Sequence, residues 1–178
     1  MTGGPDFYNR RKGFDIKPPA PPEGMKIESR IGVQAPADVV WDILQDVAAW
    51  PDWNPIYPKA SGVVRIGERL TYARAMPGRP HDQFQATVLD WTPNELLHVR
   101  RAVMGGLVPV IQYWEIDTLA EENCVFSSGE LYAGWLGRSA AQSLRRALRR
   151  GFEAEGEALK ARAEAAWRER RGAPKSQA

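Results

Sequence analysis

Two residues of complementary chemistry sit in strand-like segments far apart in the chain, Arg74 and Glu130. Side chains in a strand alternate with period two, so Glu130 shares a face with Ser128 and Tyr132, and Arg74 shares one with Leu70 and Tyr72. Alternation alone leaves two arrangements open. In one, both groups face outward and are solvated. In the other they face inward, where an isolated carboxylate is costly and Glu130 needs a partner that Arg74 can supply. An inward pair beside Tyr72 would have the means to orient and polarise a carbonyl-bearing substrate.

The remaining reactive side chains are sparse. His81 and His98 are the only histidines, and Cys124 is the single cysteine. A metal site needs three or four suitably placed ligands, so none is expected, and no cofactor either. His98 shares its face with Leu96 and Arg100 and reads as an exposed strand histidine. Cys124 has no evident base and reads as a strand residue rather than a nucleophile. The chain has no Gly-rich phosphate loop, no G-x-S-x-G elbow and no H-E-x-x-H pair, so no catalytic residue is assigned.

The elements that must position these groups follow from periodicity. Residues 1–25 read as a flexible tail: Pro18, Pro19, Pro21 and Pro22 remove backbone donors, and no apolar period precedes them. From Lys26, Ile27, Ser29, Ile31 and Val33 alternate with polar residues as a half-buried strand does. Pro36 and Asp38 suit the first turn of a helix carrying Val40, Trp41, Leu44 and Val47. A second short helical stretch is expected to end before Trp50-Pro51-Asp52-Trp53-Asn54-Pro55. About six further strands follow, separated by turn signals such as Gly67, Pro77-Gly78-Arg79-Pro80 and Pro93-Asn94. Met104-Gly105-Gly106-Leu107 reads as a flexible hairpin tip with apolar side chains.

Residues 138–168 form the clearest element. Ala141, Leu144, Leu148, Phe152, Leu159, Ala163 and Ala166 recur at steps of three, four or seven, predicting a helix of ~45 Å. Gly151 and Gly156 in its middle permit either close approach to the sheet or a slight bend. Residues 169–178 are read as a disordered tail. Consecutive strands with short turns mean antiparallel pairing and an α+β fold, with one domain over residues 26–168.

Composition agrees with a soluble globular chain: 178 residues, 43% hydrophobic and 26% charged. No apolar run is long enough to span a bilayer, and the N-terminal residues lack a secretory h-region. With one cysteine, a cytoplasmic location is expected. Charge is uneven. Residues 26–137 hold 9 Lys/Arg against 14 Asp/Glu, whereas residues 138–171 hold 10 against 5. That asymmetry is either a solvated helix face or a surface for an acidic partner or an anionic surface. Arg145, Arg146, Arg149 and Arg150 lack the interleaved aromatics of nucleic-acid binders, so no nucleic-acid partner is expected.

The order of elements and several motifs resemble the START-like, or SRPBCC, superfamily (the polyketide cyclase/dehydrase and lipid-transport group). The carriers are Ala35-Pro36-Ala37-Asp38-Val39-Val40-Trp41-Asp42-Ile43-Leu44, Trp50-Pro51-Asp52-Trp53-Asn54-Pro55, the segment from Leu89 to Leu96, the Trp114-centred strand, and Gly129-Glu130-Leu131-Tyr132-Ala133-Gly134. The resemblance covers about Met25 to Ala166. It implies a helix-grip fold: a seven-stranded antiparallel sheet wrapped around a long C-terminal helix, with two short helices after the first strand. It also implies a tunnel between sheet and helix, and no single activity, since members similar in shape carry lipids, bind hormones, cyclise polyketides or assist chaperones. The chain departs from the pattern at Gln112, where polyketide-cyclase relatives often carry a histidine. Chemistry dependent on that histidine does not carry over.

The expected function is binding or transport of a hydrophobic small molecule (a lipid, polyketide or other ring-containing metabolite) in that cavity. The expected lining is Trp53, Tyr72, Arg74, Phe84, Trp114, Glu130, Tyr132, Leu148 and Phe152. Any of the aromatics can equally fill the core, as Trp41 is expected to. Two alternatives remain: an aromatase/cyclase-type enzyme using Glu130, Tyr72 or Arg74, and a protein-interaction module working through the basic helix. Stable membrane insertion is not expected.

Overall fold

The computed structural model describes residues 24–172, residues 77, 79 and 80 apart. Of the expected tails at 1–25 and 169–178, residues 1–23 and 173–178 lie outside the described residues, while Gly24 and Met25 belong to the first strand. Strand β1 (Gly24–Val33) leads into α1 (Ala37–Gln45), a 3-10 turn (Val47–Ala49) and α2 (Trp50–Trp53). Then come β2 (Lys59–Ser61), β3 (Arg69–Arg74), β4 (Asp82–Thr92), β5 (Leu96–Val103), β6 (Val108–Ala120), β7 (Asn123–Ala133) and α3 (Gly134–Gly172). The strands form one sheet in the order β1-β7-β6-β5-β4-β3-β2. Every neighbouring pair is antiparallel. The segment carrying α1 and α2 therefore joins the two edges of the sheet.

Helix α3 lies on β1, β7 and β6. Its buried positions Ala141, Leu148, Phe152, Leu159 and Ala163 are the predicted apolar stripe. At ~1.5 Å per residue, its 39 residues span about 58 Å. It starts four residues earlier and ends four later than the periodicity predicted, taking in 169–172 from the expected tail. Charged residues continue a helix as well as apolar ones do, so the helix runs on past the last apolar position of the stripe. Gly151 serves close approach: a Cβ there would stand 2.4 Å from the Met76 sulfur.

Two local features differ from the sequence reading. Helix α2 includes Trp50-Pro51-Asp52-Trp53 rather than stopping before it, because Pro51 falls in the first turn, where its missing N–H costs nothing. In β4 a register shift between Val88 and Asp90 inserts one extra residue. Trp91, paired with inward-facing Leu97, thereby joins Val88 on the inner face and stacks on Trp41 of α1 at 6.1 Å.

Candidate functional site

The inner face of the sheet carries a line of polar groups inside an aromatic core. Arg74 at the end of β3, Arg101 on β5 and Glu130 on β7 are all buried. The Arg74 guanidinium donates to Glu130 Oε1 at 2.5 Å, and Arg101 donates to the same oxygen. The Tyr132 hydroxyl donates to Oε2 at 2.7 Å. Both guanidinium groups stand over the Phe84 ring, with centroid distances of 4.7 Å for Arg74 and 4.1 Å for Arg101, which favours both cations. Of the two arrangements left open by alternation, the inward one is realised.

Charge explains how this carboxylate survives burial. Burial alone pushes the Glu130 carboxyl up, but the Arg101 and Arg74 charges and the Tyr132 hydrogen bond outweigh it and hold it at about 2. Glu130 is therefore an ionised anchor near neutral pH, with no proton to give. The phenol of Tyr72 is pushed up to about 12, first by burial, and stays a neutral donor.

A second layer adjoins the first. The Tyr72 hydroxyl donates to Gln112 Oε1 at 2.8 Å, and the Gln112 amide donates to the Tyr57 hydroxyl. Tyr57, Tyr72, Trp50 and Trp114 pack ring to ring with centroids 5.1–6.5 Å apart. Beyond them Glu155, on α3, accepts at Oε1 from the Trp114 indole at 3.0 Å and the Asn54 amide at 2.8 Å. Its Oε2 is buried without a partner among the described residues. Burial pushes this carboxyl up, and the hydrogen bonds from Trp114 and Asn54 offset only part of that. The two buried glutamates thus have opposite characters, one held ionised and one favoured protonated.

The structure brings Tyr72, Arg74, Phe84, Glu130 and Tyr132 into one cluster and places Trp114, Leu148 and Phe152 on the adjoining core. Trp53 is half-buried at the end of α2, apart from the charged cluster. At these positions the expected tunnel is filled. Tyr72, Trp114, Glu130, Tyr132, Leu148 and Phe152 are each 1% exposed or less, so they pack on protein rather than border an open space. Two grooves open elsewhere. One of about 490 Å³ lies on the outer face of the sheet around Arg69, Gln85, Thr87 and Arg100. One of about 320 Å³ lies near the end of α3 around Gln34, Glu164 and Trp167. The first counts Arg101 in its lining and so touches one member of the Glu130 cluster; the second touches none.

Four members of the site, Arg101, Glu155, Asn54 and Tyr57, were not identified from sequence. Arg101 shares its strand face with Leu97 and Val99, so alternation already placed it inward. Glu155 occupies the midpoint of the seven-residue step between Phe152 and Leu159, a slot on the buried stripe. Asn54 carries no comparable signal; its burial follows from where α2 ends. His98 sits on the outer face, half-buried, and bonds Glu115 at 2.9 Å. No group of three or more His, Cys, Asp or Glu able to hold a metal occurs among the described residues.

Comparison with known proteins places this architecture. The Zhui aromatase/cyclase from Streptomyces sp. R1128 superposes with a TM-score of 0.65 at 21% identity, covering 87% of this chain and 99% of that one. Norcoclaurine synthase from Thalictrum flavum, in complex with dopamine and hydroxybenzaldehyde, gives 0.58 at 18% identity over 78% of this chain and 85% of its own. The di-domain aromatase/cyclase StfQ from the steffimycin biosynthetic pathway gives 0.61 at 16% identity, covering 84% of this chain and 52% of that one. At such identities the likeness establishes the helix-grip fold. No curated protein sequence matches the chain. The family described as polyketide cyclase / dehydrase and lipid transport matches residues 25–164, and the chain belongs to that family.

Proposed function

We propose that the protein binds a ring-containing small molecule bearing an anionic or enolic oxygen, in the interior between the sheet and α3. The observation that carries this reading is the surplus of buried donors. Two guanidinium groups share one carboxylate, and Arg74 Nε, Arg101 Nε and the second terminal nitrogen of Arg101 have no partner among the described residues. Buried donors without acceptors are costly, and an oxygen-bearing ligand relieves that cost. The aromatic walls around Gln112 suit a ring, and the complex of norcoclaurine synthase with two ring compounds supports such ligands in this fold. Because side chains fill the interior, the ligand enters by displacing some of them.

The test compares a naphthalene carboxylate with its methyl ester by calorimetry. A charge-assisted contact predicts at least about tenfold tighter binding of the acid. Arg101→Met is expected to erase that difference while both compounds still bind. Equal affinities for acid and ester in the native protein refute the reading.

One observation favours a cyclase as a second reading: Glu155, a carboxyl pushed toward its protonated form, lies beside the same aromatic layer. In a dehydrating cyclisation Glu155 delivers its proton to a departing hydroxyl, which leaves as water, and takes one from the adjacent carbon. The arginines hold the developing oxyanion. Here Glu155→Gln abolishes turnover of a poly-β-ketone thioester mimic while leaving its binding intact. Turnover retained in that variant removes the reading.

A further inference from the structure

Three apolar side chains are exposed at one end of the sheet. Met104 and Leu107, on the turn between β5 and β6, are 56% and 70% exposed, and Trp135, in the first turn of α3, is 79% exposed. The β6–β7 register pairs Val110 with Tyr132, and two further steps along the ladder bring the turn level with Gly134. Both tips therefore project from the same end. A scattered exposed leucine is ordinary, but a tryptophan beside two further apolar tips marks a contact surface.

The adjoining half of α3 adds an independent signal. From Gly134 to Gly151 it carries Arg138, Arg145, Arg146, Arg149 and Arg150 and no carboxylate. All five arginines are exposed. Arg145 with Arg149 and Arg146 with Arg150 stand at i,i+4, where like charges repel, and no carboxylate in this stretch relieves them. Among the described residues only Arg149 of the five has an ion-pair partner, Glu153 at 3.0 Å. Trp135, Arg138, Gln142, Arg146 and Arg149 recur at steps of three and four, so the tryptophan and the cations share one exposed face.

We propose that this end of the molecule docks on an anionic lipid surface, with Met104, Leu107 and Trp135 entering the interface and the α3 arginines lying on the headgroup phosphates. Tryptophan suits the interfacial region, and guanidinium groups match phosphate oxygens. No helix among the described residues is long and apolar enough to cross a membrane, so the contact is peripheral. A second copy of the chain fits poorly: a twofold contact through this face sets arginines against arginines. A nucleic acid uses the arginines but leaves the apolar tips without a role. The proposal stands whether or not the interior takes the ligand proposed above.

Vesicle co-sedimentation tests it with the full chain. Phosphatidylcholine vesicles containing about one-third phosphatidylglycerol are expected to bind at least about tenfold better than phosphatidylcholine alone, with binding weakened by salt. Trp135→Ala with Leu107→Ser, and separately Arg145→Glu with Arg149→Glu, are each expected to reduce that binding about tenfold. All four positions are exposed, so thermal midpoints and naphthoate affinity stay at native values, which separates this test from that of the interior site. Failure to bind anionic vesicles overturns the proposal, and so does equal binding to both vesicle types. Unchanged binding in either double variant also overturns it. Arginine-dependent binding to duplex DNA without vesicle binding assigns the surface to nucleic acid instead.

Discussion

Replacing Glu130 by Gln removes the only carboxylate from a buried cluster that keeps two arginines. Two routes give the size of the effect. Holding the carboxyl at about 2 rather than 4.5 corresponds to ~3 kcal/mol of native-state stabilisation, at about 1.4 kcal/mol per tenfold change in proton affinity. Removing one partner of a buried ion pair costs about 3–5 kcal/mol, because the remaining charge stays uncompensated. Against a total stability of about 5–15 kcal/mol, such a loss is large and measurable. The sign with pH is fixed: a depressed carboxyl contributes its stability above 4.5 and loses it as pH falls from 4.5 toward 2. Urea unfolding followed by tryptophan fluorescence should therefore find Glu130→Gln ~3 kcal/mol less stable at pH 7, with the gap closing on acidification through that window. Replacing Arg74, Arg101 and Glu130 together by Met leaves no orphaned charge and should come much closer to the native stability, or exceed it. A pH 7 gap below about 1 kcal/mol, or one unchanged on acidification, refutes the account of Glu130 as a charge-held anchor.

The other buried carboxyl gives the opposite profile. Because burial raises Glu155, its contribution is fully present below 4.5 and is lost as pH rises through the raised value. Glu155→Gln should therefore flatten that limb and be more stable than the native protein at neutral pH, as read by thermal midpoints across a pH series. Tyr72→Phe leaves Gln112 Oε1 without its donor and should cost about 1–3 kcal/mol in urea unfolding. Phe152→Ala empties a fully buried site between α3 and the sheet and should cost about 3–5 kcal/mol, with the new space taking up a small apolar probe such as benzene.

Much of the architecture was legible because it rests on local periodicity. Period-two alternation marked most strands and period 3.6 marked α3, while turn residues separated them; antiparallel order follows from short connections. β2, three residues long, carries no pattern of its own and exists because β3 offers it an edge. The bulge in β4 turned Trp91 inward against simple alternation, since one extra residue reverses every later side chain in that strand.

The site divides along the same line. The sequence by itself established that Arg74, Tyr72, Glu130 and Tyr132 lay on strand faces where they were able to meet. Only the tertiary structure decided that the meeting occurs and that Arg101 joins it. It alone set one glutamate to stay charged and the other to favour its proton, and it filled the expected tunnel with aromatic rings. The reason is physical: which side of a sheet faces a helix, and how near two charges come once water is excluded, depend on contacts between segments dozens of residues apart. Periodicity records the face; the dielectric and the partner belong to the assembled core.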